Sequence, residues 1–212
     1  MQLIQQISEQ LQKGNASEVA QLTRDAIAQE IDTRTILDNG LIAGMAVVGA
    51  RFKAHEIFLP DVLLAAKAMY AGLDLLRPLM IKEGIPTIGK VVIGTVQGDL
   101  HDIGKNLVGI MLKGAGFEVI DLGKDESPEK FVETAMAANA DVIGLSALLT
   151  TTMPVMQKVI DLARLRGIYG KTRIVVGGAP LSNEYARQIG ADAYCFDGIN
   201  AVECVKRFVG VR

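Results

Sequence analysis

KVVIGTVQGDLHDIGKNLVGIMLKGAG, residues 90 to 116, decides the fold. It opens with a continuous aliphatic run, KVVIGTV (90–96), without polar alternation, as in a strand covered on both faces. A polar, glycine-bearing loop follows, and from about 103 to 115 the apolar spacing becomes helical. A strand that feeds a helix in this way is half of a parallel β-α-β unit. The pattern repeats downstream. The runs FEVIDLG (117–123), DVIGLSAL (141–148), TRIVVGG (172–178) and ADAYCF (191–196) read as strands. Helical stretches at roughly 127–139, 152–166, 182–189 and 200–209 separate and follow them. The expectation is a flavodoxin-like, Rossmann-like five-stranded parallel sheet with helices on both faces.

Residues 1 to about 85 have another rhythm, helical throughout. Leu3, Ile4, Ile7 and Leu11 keep helical spacing in the first element. Ser17 is a candidate cap for a second helix carrying Val19, Leu22, Ile27 and Ile31. Asp32 can cap a third that runs toward Phe52. Pro60 opens a fourth that carries Val62, Leu63, Ala66, Met69, Leu73 and Leu76. Four amphipathic helices with short connections predict a four-helix bundle. KEGIPTIGK (82–90) breaks the helical pattern and reads as the linker between domains 1–85 and 86–212.

Composition narrows the function classes. The 212-residue chain is 50% hydrophobic and 5% aromatic, with a net charge of −2. No basic stripe invites nucleic acid. The longest apolar run, Leu41 to Ala50, is shorter than the ~20 residues that span a bilayer. The start lacks the regions of a signal peptide. Cys195 and Cys204, the only cysteines, fit no metal clip and read as reduced thiols in the cytoplasm.

Ligands bind such sheets beyond the carboxyl ends of the strands. Three ends stand out: Gly98-Asp99-Leu100-His101-Asp102-Ile103-Gly104, then Ser146-Ala147-Leu148 with Thr150 and Thr152, then Gly177-Gly178-Ala179. Asp99 lies two residues before His101, where a carboxylate can reach the imidazole, fix its tautomer and raise the basicity of the other nitrogen. That prepares a metal ligand or a general base. A metal held by side chains alone needs three or four ligands, and no such cluster is written here. A metal on His101 would therefore bring its other ligands in a cofactor, such as a macrocycle. Each feature also has an ordinary reading: a solvated turn histidine, a strand-end hydroxyl, a glycine turn. The double glycine lets a large ligand approach the backbone.

Asp99, His101 and Gly104 fill a DxHxxG motif, Ser146 and Leu148 an SxL element, and Gly177 and Gly178 a GG element. In this order they resemble the cobalamin-binding domains of methionine synthase and of corrinoid methyltransferase proteins. The helical half is similar too, since GMAVVGARFKAHEIFLP (44–60) resembles their helical cap.

The resemblance implies that His101 takes the lower axial position on the cobalt of a cobalamin whose own base is displaced. Asp99 would hydrogen-bond the imidazole, with Thr152 third in the relay. Gly98, Leu100, Asp102, Ile103 and Gly104 would complete the histidine loop. The displaced nucleotide tail would pass Ser146, Leu148, Thr150, Gly177, Gly178 and Ala179. Phe52 and Leu59 match the cap residues that shield a cobalt-bound methyl. The implied function is a methyl carrier between a substrate-specific methyltransferase and a second one acting on tetrahydrofolate or a thiol, with a reductive activator as a further partner. It would not catalyse turnover alone, and the linker would serve as a hinge. The small subunit of an adenosylcobalamin mutase shares the three motifs but usually lacks this cap. A cobalamin-based sensor typically adds a DNA-binding domain and a tryptophan-bearing cap motif, and this chain has no tryptophan. His55 reads as a surface residue and Cys195 as a packing one.

Overall fold

The computed structural model describes residues 2–85 and 87–210. They fall into two compact units, one of residues 2–85 with 114–116 and one of the other described residues.

The first unit is helical. Helix α1 (Gln2–Gln12) buries Ile4, Ile7 and Leu11, one stripe at three- and four-residue spacing. The expected Ser17 cap is not there: α2 (Ala16–Ala28) has Asn15 at its N-cap, two residues earlier, and places Ser17 inside the helix. Its buried face is Val19, Thr23 and Ala26 rather than the more apolar Leu22 and Ile27. The Thr23 hydroxyl makes this possible by donating to the Val19 carbonyl at 2.7 Å. Asp32 does cap α3 (Thr33–Thr35), accepting the Thr35 N–H at 2.8 Å. The chain then runs through a π-helical segment (Ile36–Ile42) into α4 (Ala43–Lys53). Gly40 and Gly44 sit on the face that meets α1, where added Cβ atoms would lie 3.2 Å from Ile7 Cγ2 and 3.1 Å from Ser8 Cα. The stretch Thr33–Lys53 is long and apolar enough to cross a membrane, with mean hydropathy 1.2. Within this unit, however, Ile36, Leu37, Leu41, Met45 and Val48 are buried, as in the core helix of a bundle. Helix α5 (Leu59–Glu83) has Pro60 in its first turn, and its Asp61 carboxylate accepts the Phe58 N–H at 2.9 Å. Gly84, at φ 64°, ends it. Of the linker, Pro86 lies outside the described residues.

The second unit alternates strands and helices: β1 (Lys90–Thr95), α6 (Ile103–Gly114), β2 (Glu118–Asp121), α7 (Pro128–Ala138), β3 (Val142–Ser146), α8 (Met153–Leu165), β4 (Arg173–Gly177), α9 (Asn183–Ile189), β5 (Ala193–Cys195) and α10 (Gly198–Phe208). The strands are parallel in the order β2-β1-β3-β4-β5. Val91 and Val92 point to opposite faces and are both fully buried, so helices cover both sides. The strand order reverses beside β1, and the loops after β1 and β3 leave the sheet side by side at that switch point.

Candidate functional site

Asp99 is the centre of the loop cluster. Its carboxylate is fully buried and accepts five hydrogen bonds. Oδ1 takes the His101 backbone N–H at 3.0 Å and the His101 ring Nδ1–H at 2.7 Å. The two-residue spacing explains both, since an aspartate readily accepts the N–H two residues on, and that turn swings the ring onto the same oxygen. Oδ2 takes the Leu148 N–H at 2.7 Å, the Leu149 N–H at 3.1 Å and the Thr152 hydroxyl at 2.9 Å.

Burial by itself opposes the carboxylate charge. The donated hydrogen bonds, first that of the His101 N–H, then those of Leu148, the His101 ring and Leu149, outweigh it. They hold the Asp99 carboxyl well below the usual carboxylate range. An ionised carboxylate only accepts, so Nδ1 donates its proton to it, and Nε2 is the ring nitrogen that Asp99 leaves free. The His101 side chain is 50% exposed, against 0% for Asp99. The arrangement is a buried anion beneath an outward imidazole, suited to ligate a metal through Nε2. Among the described residues, no group of three or more His, Cys, Asp or Glu side chains is placed to hold a metal ion. Such a metal must therefore arrive with other ligands.

Thr152 is the N-cap residue of α8, yet its side chain makes no capping bond. Its hydroxyl lies 2.9 Å from Asp99 Oδ2 and 2.8 Å from the Leu149 carbonyl. The carboxylate is the stronger acceptor for its single proton. The threonine methyl does not displace this contact.

The other sequence-predicted residues spread around this pair. Leu100 and Ile103 are 62% and 78% exposed, unusual for such large apolar side chains. Leu148 and Thr150 are exposed as well, and Ser146 is half-buried at the end of β3. Asp102 accepts the Asn106 N–H at 2.8 Å through its backbone carbonyl. Gly104 has open space where a Cβ would stand. Gly177 ends β4, pairing with Ser146, and Ala179 is exposed. Gly178 lies at φ 134°, where a Cβ would fall 1.8 Å from the Ala147 carbonyl oxygen. Only glycine fits there. In the helical unit, Phe52 and Leu59 are half-buried and outside the core, and His55 is exposed at φ 58°. Cys195 and Cys204 are buried and free.

Further residues hold the histidine loop and escaped the sequence reading. Asp125 Oδ1 accepts the Gly98 N–H at 2.7 Å, and the Asp125 N–H donates to the Asp99 carbonyl at 3.2 Å. Asp125 sits at φ 61°, a conformation that asparagine and aspartate adopt more readily than other side chains. Thr95, fully buried, donates its hydroxyl to the His101 carbonyl at 3.0 Å. Lys105, 3% exposed, reaches both Asp121 oxygens and Asn106 Oδ1 at 2.6 Å. It thereby ties the start of α6 to the end of β2. The only sequence signal for this was a lysine set directly after the DxHxxG motif.

Residues 89–205 match the family described as B12 binding domain, and residues 3–77 match a second family of the same description. A corrinoid protein of Desulfitobacterium hafniense is 40% identical over 213 residues, covering 99% of each chain. Dimethylamine corrinoid protein 1 of Methanosarcina acetivorans is 45% identical over 181 residues, covering 85% of each. Among solved structures, a chain of the methanol:cobalamin methyltransferase complex from Methanosarcina barkeri superposes with a TM-score of 0.90 at 28% identity. The match covers 99% of this chain and 80% of that one.

Proposed function

We propose that this protein, which belongs to the family of B12-binding corrinoid proteins, is the methyl carrier of a multi-component methyltransferase system. The observation that carries the reading is the Asp99–His101 pair, a buried anion 2.7 Å from a half-exposed imidazole. When bound, the corrinoid supplies the cobalt centre that accepts and gives up a methyl group.

The chain's own residues divide the remaining work. His101 would hold the cobalt through Nε2, and the ionised Asp99 orients the ring by accepting its Nδ1–H. Thr152 and the Leu148 and Leu149 N–H groups keep Asp99 ionised and fixed. Leu100, Ile103 and Leu148 give the apolar corrin a surface on which to rest. Ser146, Thr150, Gly177, Gly178 and Ala179 would line the path of the nucleotide tail, where the missing Cβ at Gly178 lets backbone and ligand approach. Gly98, Asp102 and Gly104 shape the loop around the pair. Residues 1–85 would form the cap and 86–212 the corrinoid domain. Phe52 and Leu59 are the cap side chains assigned to shielding the methyl group.

One partner would be a methyltransferase that draws on a small donor of the methylamine or methanol class, the chemistry named for the relatives. A second would pass the methyl to tetrahydrofolate or a thiol, and a reductive activator would restore oxidised corrinoid. All of these are partners for the cytoplasm. The corrinoid-loaded chain mixed with dimethylamine and tetrahydrofolate should give no turnover alone. It should turn over when a dimethylamine-specific methyltransferase and a folate methyltransferase are added. Turnover by the chain alone would overthrow the carrier assignment.

A further inference from the structure

At the open edge of the sheet, α9, β5 and α10 enclose a cavity of about 490 Å³, away from the histidine loop. That volume suits a small organic ligand. Asn183, Arg187, Phe196, Asn200, Cys204 and Arg207 contribute to its lining.

Three features of the wall belong together. Cys195, on β5, and Cys204, on α10, are both free and buried, and the two thiols are near enough to interact. The Arg207 guanidinium donates to Cys204 Sγ at 3.2 Å. Asn200 Oδ1 is buried and has no hydrogen-bond partner among the described residues. An orphan acceptor on a cavity wall calls for a donor from whatever fills the cavity.

The charges around the two sulfurs point the same way. The neighbouring Cys195 thiol and then Arg207 outweigh burial and the nearby Asp192, holding Cys204 below the ordinary thiol range. The same surroundings favour the thiolate on Cys204 over that on Cys195. Sharing a hydrogen with Cys204, burial and Asp197 push Cys195 far up, so it keeps its proton.

We propose that this cavity is a thiol–disulfide exchange site for a small peptide-like disulfide, with Cys204 attacking and Cys195 resolving. Asn200 Oδ1 accepts an amide N–H of the ligand, and Arg187 and Arg207 meet its carboxylates. The Cys204 thiolate attacks one sulfur of RS–SR, forming a mixed disulfide and releasing RS⁻, which takes a proton from water. Cys195 then loses its proton and attacks Cys204 Sγ. The Cys195–Cys204 disulfide forms, and the second RS⁻ leaves and takes up a proton as RSH. Two protein thiols are oxidised and one small disulfide is reduced to two thiols. Cys195 pairs with Gly177 across β4 and β5, so the new bond acts on the strand that leads into the double glycine. The thiol exchange itself does not require bound corrinoid.

The test uses the reduced full chain, freed of reductant, with oxidised glutathione as probe and intact mass and thiol release as readouts. Wild type should lose both thiols, release two equivalents of glutathione and keep no adduct. Cys195→Ser should stop at one adduct on Cys204, and Cys204→Ser should not react. Wild type that keeps both thiols, or Cys204→Ser that reacts like wild type, overturns the proposal. A second reading needs no substitution: the pH profile of iodoacetamide labelling of the wild type. Cys204 should label first, with a midpoint below that of an ordinary thiol. A midpoint at about 8.5, that of an ordinary thiol, or prior labelling of Cys195, would equally overturn it.

Discussion

The helical unit buries two polar side chains among its described residues, Thr23 and Thr33, whereas the α/β unit buries Thr95, Asp99, Lys105, Thr152 and Thr172. In the first, Thr23 merely returns its hydroxyl to its own helix. In the second, Asp99 joins residues up to 53 positions apart, and three of its partners come from the loop after β3. Apolar helix faces tolerate exchange among residues of similar size, because burial carries no direction. A buried carboxylate with several donors tolerates little, because each donor it leaves behind is stranded. The difference teaches that the helical unit is specified by pattern and the histidine loop by individual hydrogen bonds.

The comparison breaks first at Asp99. Asp99→Ala strands the Leu148 and Leu149 N–H groups and the Thr152 hydroxyl, a loss of about 4 kcal/mol in urea unfolding at pH 7. The sign with pH follows from its lowered carboxyl. The carboxylate's contribution is whole above about pH 4, the unfolded value. It fades as pH falls through the lower folded one. The gap between wild type and Asp99→Ala should narrow only in that acid window, and a gap that closes near neutrality would contradict the assignment.

Gly178→Ala comes next. A Cβ 1.8 Å from the Ala147 carbonyl oxygen, at φ 134°, must push the two loops apart. The expected loss is about 3 kcal/mol, with weakened corrinoid retention on gel filtration. Thr152 sharpens the comparison further. Thr152→Val removes one donor to Asp99 and should lose about 1 to 2 kcal/mol, while Thr152→Ser keeps the hydroxyl and should lose less than half of that. Equal losses would reduce Thr152 to a packing residue. The smallest effect belongs to the helical unit. Gly49, inside α4, has nothing within 4 Å of an added Cβ. Gly49→Ala should therefore raise thermal stability by about 0.5 to 1 kcal/mol.

The same contrast governs what the sequence reveals. Strand order, the helix series and the DxHxxG loop were legible because each rests on local spacing: continuous aliphatic runs, three- and four-residue stripes, a two-residue Asp–His turn. The Ser17 cap was misplaced by two residues, since Asn15 holds that position, a usual scale of uncertainty at helix ends. The π-helical segment at Ile36–Ile42 and the burial of Thr23 depend on tertiary packing and left no periodic trace. Asp125 lies 27 positions from Gly98, and Asp121 lies 16 from Lys105. No spacing rule joins such pairs until the sheet has brought β1 and β2 together.

The central claim is that His101, held by Asp99, is the protein's ligand to cobalt. The most direct measurement is the visible absorption spectrum of the purified chain incubated with hydroxocobalamin, for wild type and for His101→Ala. Wild type should retain the corrinoid with a nitrogen-ligated spectrum, and His101→Ala should retain it with a spectrum shifted to the base-off, unligated form. Identical spectra from the two proteins would contradict the account.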